Sequence, residues 1–184
     1  LLAGATGFIG SLLLRDLLMH RAQTSIKGGV VIICRSKRGQ SAKQRMQSLL
    51  SKEMFSFLSE DQKEKLVTVI EGDLSLPKMG LSEPEYNSLC DELNVTHVIN
   101  CAACVNFMEP LAKAAESNIT SALQLQLLSK SMKRNKVNYI YISTAFVHGG
   151  KTGSVASPLP QNKLFDLQKY DPLDLYESMM NTES

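Results

Sequence analysis

At 184 residues, with 43% hydrophobic and 21% charged side chains, the chain has the make-up of one sizeable globular domain, which excludes a disordered, collagen-like or membrane-spanning chain. A net charge of +2 is too small for an electrostatic grip on a nucleic-acid backbone, so no nucleic-acid partner is expected. Four cysteines, Cys34, Cys90, Cys101 and Cys104, are too sparse for a disulfide scaffold and point to a reducing, intracellular compartment.

Short β-branched runs alternate with segments of helical period along the whole chain. Residues 1–3 read as a short strand, 8–20 as a helix and 30–34 as a second strand. A helix over 41–58 and a strand over 67–71 follow. Then come a helix over 84–93, a strand over 96–101, a helix over 110–134 and a strand over 138–143. Beyond Ser143 the glycines and prolines of residues 149–160 predict a surface excursion, and Asp171-Pro172 predicts a helix start. Repeated β-α units joined by right-handed crossovers give a doubly wound, mostly parallel α/β sheet of Rossmann type, with ligands at the carboxyl ends of the strands. The chain opens within an apolar run and without methionine, and it is read as a single-domain, truncated fragment.

Between the first strand and first helix stands Gly4-Ala5-Thr6-Gly7-Phe8-Ile9-Gly10. Glycines allow a tight turn and a close approach of backbone to pyrophosphate, and the free N–H groups at a helix start bind its charge. Gly4, Thr6, Gly7, Phe8, Ile9 and Gly10 are therefore candidate dinucleotide contacts. A P-loop is excluded, because Gly10-Ser11 stands where Lys-Ser/Thr would be needed.

An NAD site usually carries an acidic residue about 20 residues beyond the glycines. No acidic residue lies between Asp16 and Glu53, whereas Arg35, Lys37 and Arg38 directly follow the second predicted strand. A guanidinium grips a 2′-phosphate in a bidentate fork, so Arg35, supported by Arg38 or Lys37, predicts NADPH; a solvated basic loop is the alternative. In Glu71-Gly72-Asp73-Leu74 a carboxylate is placed to meet the adenine amino group, or Asp73 only caps the next turn. The small residues Cys101, Ala102 and Ala103 let a cofactor pass near the backbone. Asn118 is a candidate for orienting the active site, or a plain polar helix residue. Ser143, at the end of the last predicted strand, is the candidate catalytic hydroxyl.

Cys101-Ala102-Ala103-Cys104 is formally a CxxC, but it lacks the second pair of a zinc site and the helix-opening context of a redox motif, so no metal is expected. His20, His97 and His148 have no metal spacing, and the Asn94 and Asn118 glycosylation triplets are read as inert.

With these motifs in place, the chain resembles the fatty acyl-CoA reductase (male-sterility) family of extended short-chain dehydrogenase/reductases. The resemblance runs through the glycine turn and Arg35-Ser36-Lys37-Arg38-Gly39-Gln40-Ser41 with Arg45 following. It continues through Glu71-Gly72-Asp73-Leu74-Ser75, Leu81-Ser82, Asn100-Cys101-Ala102-Ala103 and Ser143-Thr144-Ala145-Phe146-Val147. Ala3 and Cys104 depart from the family pattern, where threonine is usual. The resemblance implies reduction of a fatty acyl-CoA by NADPH through an aldehyde to a fatty alcohol. It also implies a possible homo-oligomer and a cytosol-facing site on peroxisomal or endoplasmic-reticulum membrane.

The family's tyrosine–lysine pair is spaced YxxxK. Four residues beyond the five tyrosines stand Cys90, Ser143, Ala145, Asp174 and Met180, so the chain has no such pair and is expected to lack turnover alone. The rival readings are a sugar-nucleotide epimerase, a noncatalytic NADP-binding sensor and the thioester reductase domain of a carrier-linked synthetase.

Overall fold

The protein is described here by a computed structural model covering residues 1–24, 28–133, 136–144 and 170–182. Five parallel strands form one sheet in the order β3-β2-β1-β4-β5: β1 (Leu2–Ala3), β2 (Val30–Cys34), β3 (Val67–Glu71), β4 (His97–Asn100) and β5 (Asn138–Tyr141). The register aligns Ala3 with Ile33 on one side and Asn100 on the other, and Asn100 in turn with Tyr141. The carboxyl ends of β2, β1, β4 and β5 therefore share one edge.

Strand alternation divides the core into two layers. Leu2 and Ile32 face a cluster with Leu14 and Leu18 of α1 (Phe8–Gln23) and Met46 and Leu49 of α2 (Ala42–Leu50). Ala3 and Ile33 face the other way. They pack with Leu89 of α4 (Glu83–Asp91) and with Leu125 and Leu128 of α6 (Ser121–Ser131). Helices thus cover both faces, as the near-continuous apolar strands require.

The helices differ from the periodic reading in two places. The predicted helix over 41–58 ends at Leu50, where the Ser51 N–H still donates to the Gln47 carbonyl but Lys52 is extended. A single 3-10 turn, Glu53–Phe55, follows and buries Phe55 completely. An unpredicted helix α3 (Glu60–Leu66) then starts on a capping box in which Ser59 and Gln62 bond each other's backbone N–H groups. The predicted helix over 110–134 is α5 (Leu111–Ala115), a π turn over Glu116–Thr120, and α6.

Two strands end earlier than predicted, β4 at Asn100 and β5 at Tyr141, although the Ile142 N–H extends the pairing to the Asn100 carbonyl at 2.9 Å. Beyond β3, Lys78, Met79 and Gly80 take left-handed φ values of 50°, 61° and 69° in succession. Helix α7 (Pro172–Met180) begins as expected, with the Asp171 carboxylate accepting the Leu173 N–H at 2.7 Å. The predicted excursion over 149–160, together with Ala145, Phe146, Val147 and His148, lies outside the described residues. No described helix is long and apolar enough to cross a membrane.

Candidate functional site

The glycine turn sits at the carboxyl end of the central strand. Gly4 has φ +80°, and a Cβ there would stand 2.5 Å from the Ala102 nitrogen and the Cys101 carbonyl carbon, so only glycine lets β1 and β4 leave the sheet this close together. The Gly7 N–H closes the turn on the Gly4 carbonyl at 2.9 Å, and Gly7 then serves as the extended N-cap of α1. No side chain caps this helix and no acidic residue occupies its first turn. Its first amides are therefore without a capping side chain, and the Phe8 and Ile9 side chains are exposed. Gly10 faces inward, where a Cβ would lie 2.1 Å from the Gly4 carbonyl oxygen. A turn with open amides, no competing carboxylate and no space-filling side chain fits the pyrophosphate of a dinucleotide.

Thr6 brings in a residue that the sequence reading quoted without giving it a role. Arg45, in the first turn of α2, donates from Nη2 to Thr6 Oγ1 at 3.1 Å and from Nη1 to the Arg35 carbonyl oxygen; the same Nη1 lies 3.2 Å from Cys34 Sγ. It therefore ties the phosphate turn to the end of β2. The available signal was its position, since a cation at a helix N-terminus opposes the macrodipole and needs other partners. Burial pushes the Cys34 thiol up even beside this guanidinium.

Arg35 leaves β2 and reaches Asp73 beyond β3, Nη1 to Oδ2 at 3.4 Å. Between them opens a cleft of about 380 Å³ lined by Arg35, Ser36, Gly72, Asp73, Leu76 and Leu81, among others. Arg38 stands at the tip of a two-residue hairpin, Arg38-Gly39, with φ 53° and 77°, closed by paired Lys37–Gln40 backbone bonds of 3.0 and 3.1 Å.

The two carboxylates of the third strand end have structural partners. Glu71 accepts the Ala42 N–H at 2.8 Å and so caps α2. Asp73 accepts the Ser75 N–H at 3.0 Å and the Ser75 hydroxyl at 2.8 Å, the turn-capping alternative of the sequence reading. Partial burial alone would push the Asp73 carboxyl up, but the bonds from Ser75 and Arg35 outweigh it and hold the group below the usual carboxylate range. Leu74 packs into the α4/α6 core.

The end of β4 forms the opposite wall. Asn100 is fully buried, and its Oδ1 accepts the Ala102 N–H at 2.9 Å; the sequence reading quoted Asn100 without giving it a role, and a lone polar residue at the end of an apolar strand was the signal available. Cys101 packs toward the α1 side, where burial raises its thiol, and Ala103 is exposed. Asn118, inside the π turn, accepts the Cys104 N–H at 2.7 Å and donates to the Cys104 carbonyl at 3.1 Å. It orients the wall by clamping a backbone. Ser143 is exposed two residues beyond β5 and leaves the sheet at the same edge as Gly4. Two strand spacings of about 5 Å separate the two strands that carry them. The structure thus joins Gly4, Gly7, Gly10, Cys101 and Ala102 directly, and links Thr6, Arg45, Arg35 and Asp73 in a chain of polar contacts. No group of three or more metal-ligating side chains occurs among the described residues.

A family described as male sterility protein matches residues 2–182 of this chain. The chain belongs to that family. Mouse fatty acyl-CoA reductase 1 is 36% identical over 151 residues, which are 80% of this male-sterility-family chain and 28% of the mouse protein; the chain thus spans under a third of that relative's length. Among solved structures, the terminal R domain from the myxalamid PKS-NRPS biosynthetic pathway superposes with a TM-score of 0.64 at 27% identity, over 86% of this chain and 38% of that one. A UDP-glucuronic acid 4-epimerase from Bacillus cereus in complex with NAD shares the fold, with a TM-score of 0.53 at 24% identity over 87% of this chain and 45% of that one.

Proposed function

We propose that residues 1–184 are the nucleotide-binding part of an enzyme that uses NADPH to reduce a fatty acyl-CoA thioester through the aldehyde to a fatty alcohol. The observation that carries the reading is the left-handed Gly4 turn. It presses on Cys101-Ala102, leaves the α1 amides uncapped, and is linked through Thr6 and Arg45 to the strand end that bears Arg35. The amides of Phe8, Ile9 and Gly10 would hold the pyrophosphate, and Arg35 with Arg38 the 2′-phosphate. The 380 Å³ cleft would take the adenine end, with Arg35 exchanging its long 3.4 Å contact to Asp73 for a shorter one to phosphate. The bound nicotinamide supplies hydride.

Ser143 would donate its hydroxyl hydrogen bond to the substrate carbonyl, where negative charge develops as hydride arrives. Asn118 and Asn100 hold the Cys101–Cys104 wall in place beside that reaction. The absence of a YxxxK pair means that these residues alone bind cofactor without turnover. The likeness to the myxalamid R domain supports a second reading, a carrier-bound rather than a CoA-bound thioester.

Calorimetry with NADPH and NADH tests the cofactor reading. Wild type should favour NADPH, and Arg35→Ala should remove a preference of about tenfold to a hundredfold, the equivalent of a charged hydrogen bond of about 1.5–3 kcal/mol. Equal binding of both cofactors by wild type would overturn it. Assay of the full-length protein with acyl-CoA against acyl-carrier substrates decides between the two thioesters.

A further inference from the structure

Three of the most exposed apolar side chains among the described residues lie on one short turn. Val105, Phe107 and Met108 are 81%, 91% and 89% exposed, just beyond the carboxyl end of β4. The turn is built rather than slack. Glu109 donates its N–H to the Asn106 carbonyl at 3.2 Å, Met108 donates its N–H to Asn106 Oδ1 at 3.1 Å, and Asn106 Nδ2 donates to Glu109 Oε2 at 2.8 Å. Phe107 and Met108 occupy its two central positions and are held outward. Keeping them in water forgoes the stabilisation that burial would bring, so the turn is shaped for an apolar partner.

Three observations choose among partners. The turn follows directly on Cys104, whose N–H and carbonyl are both clamped by Asn118, so it is continuous with the wall that Gly4 touches. It leaves the same sheet edge as Ser143, one strand away, since Asn100 of β4 pairs with Tyr141 of β5. Residues 101–108 carry no charged side chain, and the first charge beyond them is the carboxylate of Glu109. A bilayer surface with anionic lipids would favour lysine or arginine at that rim. A hydrocarbon chain running away from the reacting carbonyl needs no such charge.

The geometry points to the 105–108 turn as the surface that receives the hydrocarbon tail of the acyl thioester, with Phe107 and Met108 setting the preference for chain length. This rests on the thioester-reductase reading above. The test is kcat/KM for octanoyl- and hexadecanoyl-CoA in the full-length protein, for wild type, Phe107→Ser/Met108→Ser and the control Leu127→Ser, whose side chain is exposed on α6. Each methylene withdrawn from water contributes about fourfold, so the long-to-short ratio should fall about tenfold or more in the double variant and hold in the control. NADPH affinity and thermal midpoint should match wild type.

An unchanged ratio in an active double variant would overturn the inference and leave the reductase reading standing. Wild type inactive on every acyl thioester would overturn the reductase reading itself. A double variant that keeps its chain-length ratio but loses self-association, or binding to phosphatidylcholine vesicles, would assign the turn to a second copy or to a bilayer and also overturn the inference.

Discussion

Replacing Gly10 by alanine separates two things that a glycine can supply. Gly10 lies inside α1, away from the left-handed region, so alanine is conformationally welcome and should gain about 1 kcal/mol of helix propensity. The space is the obstacle. The new Cβ would stand 2.1 Å from the Gly4 carbonyl oxygen, 2.7 Å from its carbonyl carbon and 3.1 Å from Ala5 Cα, and all three are backbone atoms that no rotamer change can move. Restoring van der Waals contact requires α1 and the turn to part by more than an ångström. Overpacking of this kind costs about 1–3 kcal/mol, which leaves a net loss of about 0–2 kcal/mol in stability.

Cofactor binding should suffer more, because the same displacement moves the Phe8 and Ile9 amides off the position they share with the Gly4 turn. Losing one charge-assisted contact of about 1.5–3 kcal/mol weakens binding on the order of tenfold to a hundredfold. Urea denaturation and calorimetry with NADPH read the two effects separately. A Gly10→Ala protein that is more stable than wild type and binds cofactor within twofold of it would refute the argument that close packing demands this glycine.

Asn118→Ala should expose the Cys104 amide, and hydrogen exchange at that amide should accelerate about fivefold or more, as loss of a bond worth about 1 kcal/mol or more requires; unchanged exchange would dismiss the clamp. The Asp73 carboxylate, held below the usual range, contributes stability that is complete above about pH 4 and is lost as pH falls through its lowered native value. The stability gap between wild type and Asp73→Asn should therefore narrow as pH falls below about 4, and a constant gap would contradict that linkage. Phe55→Ala should destabilise by about 3–5 kcal/mol in chemical denaturation, because the ring is fully buried in a 3-10 turn. Phe107→Ala, at an exposed ring, should cost little in the same assay.

The sheet was legible because its strands are β-branched and apolar on both faces, a signal that survives without knowledge of tertiary contacts. Helix α3 was not, since Glu-Asp-Gln-Lys-Glu-Lys-Leu buries nothing and offers no apolar stripe; its one local mark was the Ser59–Gln62 capping box. The break after Leu50 was hidden for the opposite reason, because Met54, Phe55 and Phe57 continue an apolar rhythm through a turn that is no longer helical. At the site, glycine spacing announced the phosphate turn. The partners of Arg45 and Asn118 lie 39 and 14 residues away and depend on how elements pack, which spacing does not encode. The left-handed φ values of Lys78 and Met79 likewise have no glycine or asparagine to announce them.

Placing β1 at the centre of the sheet has a kinetic consequence. Leu2 needs Ile32 on one side and Ile99 on the other, so β1 cannot acquire both ladders until nearly a hundred further residues have left the ribosome. Such long loop closures slow folding and leave a sticky half-sheet exposed during synthesis. A nascent chain stalled before β4 would carry β1 with an open edge, and it is at that length that a chaperone would find the most to hold.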